Sequence, residues 1–144
     1  MAGIVCAIRG GPASEPTIAL AISLAKEKSL PLNFLYVVNL DFMTHTTLSR
    51  VHAVETELRH MGEFILLSAQ SKAEELGIQV EGVVRQGAIS DEIIALCSEM
   101  KADYIVLGQP SGPEEENAFT RDLYEQFIQQ LEKDCQAEVL LAKS

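Results

Sequence analysis

A doubly wound α/β domain, built on an open parallel sheet of five strands with helices on both faces, is the fold this sequence predicts. Three observations carry that reading. Short β-rich runs alternate with segments of helical periodicity along the whole chain. The stretch from Glu81 to Gly108 reads as strand, turn, helix, strand, a crossover that makes its two strands parallel. Within it, Tyr104–Leu107 is a continuous apolar run, the mark of a strand covered on both faces.

The elements follow in order. Ile4–Ile8 is the first strand, and Arg9-Gly10-Gly11-Pro12-Ala13 is a Gly/Pro turn. Ser14 is placed to cap a helix running to about Lys28, with Pro16 tolerated in its first turn. Leu32–Val38 is the second strand. A long helix runs from Thr44 or Thr46 to Leu76 and is closed by Gly77 at C′. Val80–Arg85 is the third strand. Ser90 is placed to cap the next helix, which ends near Lys101, and Asp91 and Glu92 put negative charge in its first turn. Tyr104–Leu107 is the fourth strand. A loop, Gln109–Asn117, carries two prolines and Glu114, Glu115 and Glu116; such a polar segment has no core to hold it and is expected to be mobile and open to partner contact. A helix from Ala118 or Thr120 to Asp134 and a last strand, Glu138–Ala142, complete the chain. No interior linker or repeat appears, so residues 1–144 form one domain.

Composition excludes several function classes. Eleven basic against 21 acidic side chains give a net charge of −10. That disfavours nucleic acid, whose affinity comes largely from Lys and Arg, and it disfavours anionic membrane surfaces. No apolar run approaches the ~18 residues of a transmembrane span, and Met1–Gly3 leads into a strand without a signal-peptide pattern. Cys6, Cys97 and Cys135 are odd in number, far apart in sequence and form no CxxC or metal-ligand spacing, which fits a reduced cytoplasmic setting.

The ordered set of segments resembles the universal stress protein family over the full length. Ile4–Ile8 with its glycine turn is similar to the family's opening strand and loop, and Leu35-Tyr36-Val37-Val38 to its second strand. Gln86-Gly87-Ala88 before an acidic helix start, and Lys101-Ala102-Asp103-Tyr104-Ile105-Val106-Leu107-Gly108, resemble its most recognisable segment; Gln136–Leu141 resembles its final strand. The resemblance implies strand order 3-2-1-4-5, cytoplasmic stress physiology and frequent homodimers.

In an open parallel sheet, ligands sit beyond the carboxyl ends of the strands where the strand order reverses. With the implied order, Arg9, Gly10, Val38, Asn39, Gly108 and Gly112 line that cleft. Nucleotide-binding members carry an Asp after the first strand; here the residue is Arg9. They also carry Gly, two residues, Gly, nine residues, then Gly with Ser or Thr. Here Gly108 is followed by Gly112, one residue late, and nine residues on stand Asp122 and Leu123. Glutamates 114–116 replace phosphate-binding backbone donors by repulsive charge. ATP binding in the usual family manner is therefore not expected. Arg9 has two readings: an anion contact beside a helix N-terminus, or a charge answered by nearby carboxylates such as the 114–116 run or by solvent.

The remaining reactive side chains read as structural. His45, His52 and His60 share one side of the long helix, opposite Val51, Val54, Leu58, Met61, Ile65, Ala69 and Leu76, so they face away from the sheet, too far apart for one metal. Cys6 and Cys97 read as packed thiols, and Ser14 as a cap without a G-x-S-x-G elbow. The sequence thus predicts a cytoplasmic, non-enzymatic binding or regulatory module with no cofactor and no metal. It is expected to pair as a homodimer through Glu138, Val139, Leu140, Leu141 and Ala142, an apolar edge strand, and a further protein partner is compatible with it. An adenine-nucleotide-binding member with slow ATP hydrolysis is the alternative; a flavodoxin-type or redox protein is disfavoured by the lack of a phosphate loop or paired cysteines.

Overall fold

The computed structural model describes residues 3–9, 14–39, 48–108 and 118–142; of 48 and 118–124 only the backbone is described. Five strands form one sheet: β1 (Ile4–Ala7), β2 (Leu32–Val38), β3 (Val80–Gln86), β4 (Tyr104–Gly108) and β5 (Glu138–Ala142). Their order is β3-β2-β1-β4-β5, and every pairing is parallel. The expected doubly wound architecture and strand order are therefore present. Four helices connect the strands: α1 (Glu15–Lys28), α2 (Leu48–Glu75), α3 (Ile89–Met100) and α4 (Ala118–Cys135).

Alternation along each strand feeds two cores. Ile4, Cys6, Phe34, Tyr36, Val38 and Val106 face α1 and α2. Val5, Leu35, Ile105 and Leu107 face the other way, against Ile93, Leu96 and Cys97 of α3 and Leu131 of α4. Period-two strands between two helical layers require apolar residues on both faces, which is why the central strands read as continuous apolar runs.

α2 meets the sheet through Gly62, Leu66, Ala69 and Ala73, all buried. Small residues let the helix approach closely: a Cβ on Gly62 would stand 2.5 Å from the Tyr36 ring. This sets the helix rotation and corrects two expectations. Met61 and Leu76, expected on the inner side, are 55% and 53% exposed. Met61 is flung to the flank by the contact at Gly62, and Leu76 lies past the last helical residue. His52 and His60 are exposed as expected; His45 lies outside the described residues.

The caps differ from the sequence reading. Ser14 precedes α1 but makes no side-chain cap; its Oγ accepts the Arg9 N–H instead, at 3.4 Å. α3 begins at Ile89 after Ala88, so Ser90 lies inside the helix. Gly77 does close α2, with φ +76° and with Gly77 N–H and Ile78 N–H donating to the carbonyls of Glu74 and Ala73. The other three helices are followed by left-handed residues that are not glycine: Ser29, Lys101 and Gln136. Arg85 ties β3 to α3 through Glu99 at 2.8 Å and Glu92 at 3.9 Å. Among the described residues no helix is long and apolar enough to cross a membrane. The expected mobility of Gln109–Asn117 falls outside the described residues.

Candidate functional site

The strand order reverses between β1 and β4, which pair with Ile4 opposite Tyr104 and Cys6 opposite Val106. Chain therefore leaves the carboxyl ends of these neighbours toward opposite helical layers, the arrangement in which open parallel sheets place a ligand crevice. Three described residues emerge there: Arg9 after β1, Asn39 after β2 and Gly108 at the end of β4. Gly10 and Gly112 lie outside the described residues.

The first turn of α1 forms one wall. Ser14 and Thr17 are polar yet only 7% and 3% exposed. Ser14 accepts the Arg9 N–H through the bond already described, which ties the end of β1 to the start of α1. Gly108 presses on Thr17: an added Cβ would come within 2.8 Å of the Thr17 Oγ1. This contact gives Gly108 a packing reason, alongside any role toward a ligand. Val38 is 1% exposed and sits in the core beneath the crevice, and its carbonyl accepts the Gly87 N–H at 3.0 Å. Val38 thus contributes floor, while Asn39 is half-buried at the rim.

The electrostatics are mixed. Arg9 is exposed and makes no ion pair among the described residues, and glutamates 114–116 lie outside them. A guanidinium beside a helix N-terminus favours an anion. Glu15, at the first position of that helix, opposes this and faces Lys72 at 3.9 Å. No group of three His, Cys, Asp or Glu side chains is arranged for a metal among the described residues. Below the crevice, Cys6 is fully buried; its thiol points to the Thr17 carbonyl at 3.9 Å, and burial pushes its pKa far up, which keeps it neutral.

Two thiols that are distant in sequence prove to be neighbours. Cys97 on α3 and Cys135 at the end of α4 lie close enough to influence one another's titration, and burial, the largest cause, pushes Cys97 up to about 12 and Cys135 upward as well. No spacing motif signals this pair, because the two residues meet only when α3 and α4 pack. Nor could spacing reveal the close approach of Thr17 and Gly108, which lie far apart in the sequence.

The sequence profile of the universal stress protein family matches residues 2–142. The chain belongs to this family. Universal stress protein YxiE of Bacillus subtilis is 28% identical over 113 residues, spanning 73% of this chain and 76% of that protein. Among solved structures, a universal stress protein in complex with cAMP covers 98% of this chain and 96% of its own, with 19% identity and a TM-score of 0.71. The universal stress protein of Archaeoglobus fulgidus in complex with dAMP covers 99% and 98%, with 16% identity and a TM-score of 0.68. These solved neighbours share the universal stress fold with this chain.

Proposed function

We propose that this universal stress protein is a non-enzymatic binding or regulatory module of the cytoplasmic stress response, which does not take ATP in the usual family manner. Arg9 carries the reading. It stands exposed after β1, where nucleotide-binding members resembling this chain carry an Asp. An acceptor-only carboxylate has been exchanged for a donor-only guanidinium, so the hydrogen-bonding sense of that position is reversed. The displaced Gly112 and the glutamates at 114–116 support the same reading. The crevice of Arg9, Gly10, Val38, Asn39, Gly108 and Gly112 is the proposed site, and three free cysteines fit a reducing compartment. Calorimetry with magnesium-ATP should give no saturable heat in the micromolar range. Micromolar affinity would overturn the proposal.

A second reading has its own support. The solved neighbours named above are complexes with cAMP and dAMP, each carrying one phosphate. One phosphate brings less negative charge to a chain of net charge −10 than three do, and Arg9 beside α1 suits it. If this reading holds, protein purified natively retains an adenine monophosphate by mass spectrometry, and Arg9→Ala weakens its binding about tenfold or more. Protein that carries none and shows no heat with AMP or cAMP would leave the first reading standing.

A further inference from the structure

The outer face of α2 carries the largest exposed apolar side chains among the described residues: Phe64 at 74%, Leu67 at 64% and Met61 at 55%. Beside Phe64 lies a shallow groove of about 500 Å³ lined by Glu57, His60, Met61 and Ile65. A helix whose inner face is already buried against β2 and β3 has no structural need for this second apolar stripe.

The pattern along the stripe identifies what covers it. At about 100° per residue, Arg50, Glu57, Met61, Phe64, Ser68 and Glu75 fall within about 60° of one another. All six are exposed. They form three pairs symmetric about one point, between Gly62 and Glu63: Arg50 with Glu75, Glu57 with Ser68, and Met61 with Phe64. If a second α2 lies antiparallel across this point, each Arg50 faces a Glu75, each Glu57 faces a hydroxyl donor, and each Phe64 meets a Met61 and the groove beside it. A twofold contact requires such self-complementarity, and an unrelated ligand does not. The net charge of −10 disfavours nucleic acid and anionic lipid as alternatives.

We infer that the outer face of α2 is a self-association surface, on which a second copy of this chain docks antiparallel with Phe64 at the centre and Arg50–Glu75 pairs at both ends. One helix face lies at the small end of interface sizes, the class of weak and transient contacts. β2 and β3 carry α2, whereas β5 ends the other side of the sheet. The α2 contact is thus independent of any pairing through β5.

Sedimentation velocity over about 10 to 500 µM, at physiological salt, tests it. Wild-type mass should rise with concentration, and Phe64→Glu should weaken that step about tenfold or more. Arg50→Glu should weaken it several-fold, and the charge-reversed double variant Arg50→Glu/Glu75→Arg should recover wild-type behaviour. All three positions are exposed, so circular dichroism and melting should stay at wild-type values. Constant mass across the range, or a Phe64→Glu variant that associates as well as wild type, overturns the proposal. So does an Arg50→Glu defect that Glu75→Arg fails to repair, or no defect at all. If β5 also pairs, the Phe64→Glu effect appears as loss of species larger than a dimer, and the reading is unchanged.

Discussion

Gly108 and Thr17 lie far apart in the sequence yet leave no room for a Cβ between them, and this close approach makes a sharp test. A side chain at 108 would stand 2.8 Å from the Thr17 Oγ1, in a spot where Thr17 is itself buried. Gly108→Ala should lower stability by about 1–3 kcal/mol in urea melts. Thr17→Ala should recover part of that loss in the double variant, because the two sites share one collision; simple additivity would show that the contact is not the cause. The thiols give a second test. Burial raises the Cys97 pKa to about 12, above its unfolded value of about 8.5. A pKa raised in the folded state means stability that is complete below the unfolded value and is lost as pH rises toward the folded one. The stability advantage of wild type over Cys97→Ala should therefore shrink between pH 7.5 and pH 10, and a constant difference would contradict the assignment. Residue chemistry was partly legible in the sequence: Arg9 and Gly108 fall at the strand ends where the crevice opens. Thr17, and the pairing of Cys97 with Cys135, were not, since only tertiary packing brings those atoms together.

Periodicity fixed the elements well, because apolar repeats report burial directly. β5 lies where its apolar run predicts, and the other elements start and stop within a few residues of expectation. Caps were less legible. A serine before a helix can bond several backbone donors, and Ser14 answers Arg9, just after β1, in place of its own helix. Met61 departs from the expected inner face of α2 for a related reason: hydropathy weighs Met61 above Gly62, whereas close packing on Tyr36 favours the smaller residue. Two glycine substitutions on this element separate packing from backbone preference. Gly62→Val should lower stability by about 1–3 kcal/mol, because its Cβ meets the Tyr36 ring at 2.5 Å. Gly77→Ala meets no atom within 4 Å, and its φ of +76° alone should cost about 1 kcal/mol. Tyr36→Ala added to each should reduce the first penalty only. Equal reductions in chemical-denaturation experiments would show that α2 does not bear on the Tyr36 ring.

At the scale of the molecule, β5 ends the sheet with one side paired to β4. Val139, Leu140 and Leu141 are half-buried there, and the proposed homodimer would add a second β5 antiparallel to this edge. Each side chain buried further contributes up to roughly 1.5–3 kcal/mol before association costs. Light scattering should give a dimer at tens of micromolar for wild type and a monomer for Leu140→Lys, with matched melting curves to show that the variant is folded. A monomeric wild type, or a folded variant that dimerises unchanged, removes this edge as an interface. The strand order itself was legible only through the family resemblance, since a run of alternating elements permits several doubly wound orders. The helix ends hold a last consequence. Ser29, Lys101 and Gln136 each keep a side chain in a backbone region where L-residues lose about 1–2 kcal/mol. The chain therefore operates below its thermal ceiling, with headroom stored at three helix ends. Glycine at all three should raise the melting temperature by several degrees. That margin would let the protein absorb destabilising changes elsewhere, and in this sense its unused stability is a resource for evolving a new binding surface.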